Sequence, residues 1–176
     1  LGLASAVLMP TPDVLIDATG KLAAVRTQAG GYSVSTLRTK RFERDVWLRR
    51  AGVSLEEGRW PRAQAGPLQA IRCDALGCVY QVPTSPRVTF VTAPEALDED
   101  CQGTNEGASV VVNLSQAPGP EAQDCPVNVR INLDDLAQNG THALYFSENG
   151  GVRVETVRDL RGNRPWVLGA GGVLGR

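Results

Sequence analysis

Residues 127–157 read VNVRINLDDLAQNGTHALYFSENGGVRVETV, and the order of structure in this stretch sets the fold class. Apolar residues alternate at Val127, Val129 and Ile131, shift to helical spacing at Leu133 and Leu136, then alternate again through Ala143, Tyr145, Val152, Val154 and Val157. Alternation places one set of side chains on one sheet face, whereas the helical spacing places it on one stripe. The stretch therefore predicts strand, short helix, strand, hairpin and strand. Asn139-Gly140 supplies a residue tolerant of positive φ where the helix must stop, and Asn149-Gly150-Gly151 supplies the tight turn between two paired strands. A chain closing in this order is the end of an α/β domain.

Upstream of it, SVVVNL (109–114) is a continuous apolar run, the pattern of a strand buried on both faces. VTFVT (88–92) is another strand, and PEALDEDC (94–101) between the two predicts a short helix with proline and acids in its first turn. PLQAIRCDALGCVYQV (67–82) reads as a hairpin turning at Asp74 to Gly77. Residues 52–66 lack periodicity and form an ordered loop carrying a buried or half-buried Trp60. Before that loop comes an amphipathic helix, capped by Thr36 or Thr39 and ended by Gly52, with Phe42, Val46 and Trp47 on its apolar side. The opening runs DVLIDAT, KLAAVRT and YSVST, parted by Gly20 and Gly30-Gly31, form a β-meander.

A length of 176 residues suits one domain. Hydrophobic content of 42 %, charged content of 21 % and a net charge of -1 exclude a wholly disordered chain and one that coats nucleic acid along its whole length. The charge is nevertheless uneven. Arg38, Lys40, Arg41, Arg44, Arg49 and Arg50 cluster against only Glu43 and Asp45, while residues 93–125 carry acids and neither Lys nor Arg. The opening LGLASAVLM, ended by Pro10 and Pro12, is too short to cross a hydrocarbon core that needs about 20 helical residues. It fits a buried first strand or the end of a transmembrane helix, with a signal-peptide remnant as a third reading. Expected boundaries are a membrane-proximal segment at 1–12, a single soluble α/β domain at 13–166 and a flexible glycine-rich tail at 167–176.

The chemistry-bearing residues are few. Cys73 and Cys78 flank a hairpin turn, whereas Cys101 and Cys125 each precede a strand; if those two strands lie side by side and parallel, their starts are adjacent. Disulfides Cys73–Cys78 and Cys101–Cys125 follow, and with them an oxidising compartment; four reduced thiols in a cytosolic domain are the alternative. Zinc fits less well, because the first pair is spaced Cys-x4-Cys and His142, the one histidine, sits inside a predicted strand. A single imidazole also leaves no Ser-His-Asp triad apart from one built on His142, whose apolar neighbours suit a packed, backbone-bonded ring. Nor does it allow the clustered imidazoles of a binuclear metal hydrolase. The glycine pairs sit in turns and in the tail, not in a phosphate-binding loop. Asp98-Glu99-Asp100 reads as the solvated end of a helix, with Ca²⁺ coordination as the sharper alternative.

The basic helix has two readings, a solvated face balanced by Glu43 and Asp45, or a set of phosphate contacts made by Arg38, Lys40, Arg41, Arg44, Arg49 and Arg50. A second group, Arg153, Arg158, Arg161 and Arg164, runs up to Pro165-Trp166. Arginines beside an exposed tryptophan stack single-stranded bases, although a Trp166 docked into the core would serve only to anchor the chain end.

Taken as a set, PDVLIDATGKLAAVR, RCDALGC, the EDC before an apolar strand, Cys125-Pro126, NGTHALYF and GGVRVETVRDLRGNRPW resemble the carboxy-terminal region of ComEC-type DNA-internalisation competence proteins. The resemblance runs from Pro12 to Trp166. It implies a polytopic inner-membrane protein that carries transforming single-stranded DNA, with LGLASAVLMP similar to the end of its last membrane helix. Many family members end in a metallo-β-lactamase-like domain proposed to be a nuclease, and the final THALYF and ENGGVRVE are similar to the end of such domains. The His-x-His-x-Asp-His ligand motif has no counterpart in this sequence, so no catalytic residue carries over. The resemblance thus implies a degenerate metallo-β-lactamase-like sandwich of mixed β-sheets with a few short helices. Such a domain would be non-enzymatic, without metal, cofactor or small-molecule substrate, and would face the periplasm. Its expected partners are single-stranded DNA and the transmembrane channel part of the same protein. A protein-docking module using the acidic segment 95–124, and a residual metal-dependent nuclease, are the alternatives.

Overall fold

The meander opens the chain. Strands β1 (Val14–Ile16), β2 (Ala23–Arg26) and β3 (Tyr32–Val34) pair antiparallel, Val14 facing Val25 and Ala24 facing Val34. The computed structural model describes residues 10–53, 60, 70–83, 85–97, 110–116 and 127–162. Gly20, at φ +67°, turns β1 into β2 where a Cβ would stand 2.7 Å from Leu133 Cδ2, so the turn needs glycine both for its backbone and for close packing. Helix α1 (Arg41–Arg50) follows, and Gly52 at φ +68° lies just past its end. Trp60 is buried as expected. Its indole N–H donates to the Ser33 carbonyl at 2.8 Å and its backbone N–H to Val34 at 2.9 Å, which closes part of the β3 edge.

Strands β4 (Ile71–Cys73) and β5 (Gly77–Tyr80) make the expected hairpin, with the Asp74 N–H donating to the Gly77 carbonyl across the turn. Cys73 lies opposite Cys78 and is joined to it by a disulfide. Next to β5 come β6 (Val88–Val91), β7 (Val110–Asn113) and β8 (Val129–Ile131). All four residues of β7 are buried, as its unbroken apolar run demands. β7 and β8 run parallel and adjacent, which is the arrangement a Cys101–Cys125 bridge presupposes; the two cysteines themselves lie outside the described residues.

Helix α2 (Leu133–Asn139) starts with the Asn132 N–H donating to the Asp135 carboxylate at 2.8 Å and stops at Gly140, φ +81°. Strands β9 (His142–Phe146) and β10 (Val152–Thr156) form the predicted hairpin around Gly150. The closing stretch is not one sheet-forming unit, however. β8 belongs to the sheet ordered β4-β5-β6-β7-β8, whereas β9 and β10 join the first sheet, ordered β10-β9-β1-β2-β3, so α2 crosses from one sheet to the other. Periodicity fixes that a segment is a strand but not which strand it pairs with. The last strand also stops one residue early. Thr156 caps helix α3 (Val157–Arg161), its hydroxyl accepting from the Asp159 N–H at 3.1 Å while the Asp159 carboxylate accepts from the Thr156 N–H.

The fold is thus α/β, with one antiparallel sheet, one mixed sheet and a few short helices. The two sheets share a single core in which Val14, Ile16, Val25 and Leu144 meet Phe90, Val110, Val112 and Ile131, with Leu136 of α2 among them. Leu48 of α1 covers the opposite face of the first sheet, over Ala24 and Val34. Ala96 and Leu97, in a helical turn at 95–97, cover the opposite face of the second, over Val91 and Val111. Residues 1–9 of the expected membrane-proximal segment, and the whole expected tail, lie outside the described residues; among the described ones no helix is long and apolar enough to cross a membrane.

Candidate nucleic-acid interface

The six cations expected to act together on α1 separate into two kinds. Arg44 is 7 % exposed: its Nη1 donates to the Leu37 carbonyl and its Nε to Asp45 Oδ1 at 2.7 Å. Lys40 is half-buried and in the left-handed region at φ 51°, with its ammonium 3.3 Å from Asp17 and 3.6 Å from Glu43. Both are committed to holding the helix in place. Arg38, Arg41, Arg49 and Arg50 are exposed. Of these, Arg38, Arg41 and Arg50 have no carboxylate partner among the described residues, and Arg49 donates only to the Asp45 carbonyl at 3.1 Å.

Helix α1 also sits in a different rotation from the expected one. Its buried stripe is Arg44 and Leu48, spaced i and i+4, with Trp47 packed beside them, and Phe42 is 77 % exposed. The arginine's stem lies along the apolar layer while local acceptors satisfy its head, and this turns Phe42 outward. Seven residues separate Phe42 from Arg49, two helical turns, so they share a face. Phe42, exposed beside these cations, is therefore a candidate site residue that the reading of Phe42 as core had hidden. The expected caps Thr36 and Thr39 are used otherwise: the Thr39 hydroxyl donates to the Lys21 carbonyl at 3.4 Å and no side chain caps α1.

Asp17 anchors the N-terminus of α1. It is 1 % exposed, accepting from Leu22 N–H at 2.7 Å, from Thr19 N–H at 3.0 Å and from the Thr19 hydroxyl at 2.7 Å, besides its contact with Lys40. Burial raises the affinity of this carboxyl for a proton, but the hydrogen bonds from Thr19, Leu22 and Lys40 together outweigh it and hold the pKa below its ordinary 3.8.

The second basic group stands on the first sheet. Register and alternation set Arg153, Tyr145, Asp13, Arg26 and Tyr32 in one row across β10, β9, β1, β2 and β3, on the same face as α1. The Arg153 guanidinium lies over the Tyr145 ring, 4.0 Å from its centroid, and pairs with Glu155. Arg26 pairs with Asp13 at 2.5 Å, and the Asp13 carboxylate also accepts from the Phe146 N–H at 2.7 Å. Burial pushes the Tyr32 phenol up to about 12, with Arg26 pulling the other way, and Tyr32 packs in one cluster with Leu48 of α1. Arg158 and Arg161 are exposed on α3, and Arg164 and Trp166 lie outside the described residues.

His142 is buried, its Nδ1–H donating to the Gly140 carbonyl at 2.8 Å, the packed role its neighbours suggested. No group of three or more His, Cys, Asp or Glu side chains able to hold a metal occurs among the described residues, and Asp98, Glu99 and Asp100 fall outside them. Comparison with protein-family models, with curated proteins and with solved structures gave no match.

Proposed function

We propose that this chain is a non-catalytic, periplasm-facing domain of an inner-membrane DNA-uptake protein of the ComEC type, and that it guides single-stranded DNA along α1. The observation that carries the reading is the outward set Arg38, Arg41, Arg49 and Arg50 with the exposed Phe42 among them. Cations not tied to carboxylates meet phosphates and release counterions, and an exposed ring accepts a base on its face. Further support comes from the resemblance of its sequence strings, such as NGTHALYF and GGVRVETVRDLRGNRPW, to those of competence proteins. Two sheets around one core, covered by helical segments on both outer faces, are also what a degenerate metallo-β-lactamase-like sandwich calls for.

The test is fluorescence anisotropy with a labelled single-stranded oligonucleotide. Replacing Arg41→Gln and Arg49→Gln together is expected to weaken binding and to reduce the slope of log K against log salt by about 1.4, two contacts at about 0.7 each. Binding unchanged in affinity and slope would remove α1 from the interface.

A further inference from the structure

The row that crosses the first sheet ends in a site of a different chemical kind from α1. We infer that the Arg153–Tyr145 pair, with the pocket beside it, takes one unpaired nucleobase of the strand, stacked on the guanidinium plane; this rests on the single-stranded DNA reading above.

Three observations converge on it. The pocket, about 490 Å³, is lined by Asp13, Arg26, Tyr145, Ser147, Gly151 and Arg153, among others, and falls in the size range of small-molecule sites. The Tyr145 ring lies against the Arg153 guanidinium, and Glu155 takes Nη1 at the guanidinium's edge; Arg153 still keeps 52 % of its side chain exposed. A guanidinium braced by a ring below and a carboxylate at its rim is held flat, which is the geometry on which bases stack. The charges here also balance locally, Arg26 against Asp13 and Arg153 against Glu155. A phosphate gains little at a neutralised pair, whereas a base needs only the flat face. Tyr32, at the β3 end of this row, packs with Leu48 of α1, and four inter-strand spacings, about 19 Å, separate it from Arg153 on β10.

A base contact and a phosphate contact separate cleanly in one experiment on the full 176-residue chain. Two oligonucleotides of equal length are compared by anisotropy, one carrying bases and one abasic throughout. Arg153→Lys keeps the charge and loses the plane. It is expected to weaken binding of the base-bearing strand about tenfold, to leave the salt slope as in the wild type, and to leave abasic binding unchanged. Tyr145→Leu should act in the same direction, while Tyr145→Phe, which keeps the ring, should bind as the wild type does. Circular dichroism melts establish that each variant is folded. Wild-type binding by Arg153→Lys, or equal weakening on both strands, would overturn the base site while leaving the α1 reading intact. Absence of binding of either strand to the wild type would overturn the DNA reading, and this inference with it.

Discussion

Asp17→Ala should destabilise the domain by about 2–3 kcal/mol in urea titration, chiefly the cost of leaving the buried Leu22 N–H without its acceptor, with the half-buried pair to Lys40 lost as well. The carboxylate sits where the β1–β2 turn meets the start of α1, and its loss leaves the Leu22 and Thr19 N–H groups without their acceptor and Lys40 without its buried anion. The effect should also depend on pH. A carboxyl whose folded-state pKa lies below its unfolded value adds stability that is fully present above the unfolded value, about 4, and is lost as pH falls through the folded one. Wild-type stability should therefore decline below about pH 4, and Asp17→Ala should lack this part of the decline. A cost under about 1 kcal/mol at neutral pH would show that Lys40 and the turn hold α1 without Asp17. The same variant links fold to function: α1 is anchored through Lys40, so its exposed arginines should also lose their fixed spacing.

Leu136→Ala should cost about 3–4 kcal/mol, within the range measured for buried leucines elsewhere. Leu136 is fully buried on α2, at the point where the chain passes from one sheet to the other, and it packs into the core that both sheets share. Truncation opens a cavity against residues drawn from distant parts of the chain, including the turn at Gly20. Relaxation around such a site is limited, because β1 is pinned on both sides by β2 and β9. The denaturation midpoint should fall with an unchanged m-value. A loss below about 1 kcal/mol would mean that α2 lies on the surface of the core and not in it.

Much of the architecture was legible because the signals are local. Alternation in VLID and AAVR, the positive-φ glycines at 20, 30, 140 and 150, and the unbroken VVVN each specify a short element without reference to the rest. What was not legible depends on partners far away in sequence. Nothing within 127–157 says that β8 pairs with β7 while β9 pairs with β1, because both strands carry the same alternation. The rotation of α1 failed for a related reason. Hydrophobicity ranks Phe42 ahead of Arg44 for burial, and only the Leu37 carbonyl together with Asp45 makes the arginine's burial tolerable. Two features could have been found. Thr156 with Asp159 three residues on is a capping box that announces α3, and the hairpin around Gly150 sets Tyr145 opposite Arg153 once its register is taken seriously.

Salt dependence gives the most direct test of DNA guidance by α1. Anisotropy of a labelled single strand with the wild-type chain, measured from about 50 to 200 mM salt, should give a straight line of log K against log salt. Four outward arginines at about 0.7 each predict a slope near -2.8. No binding at the low-salt end, or a slope near zero, would contradict the account.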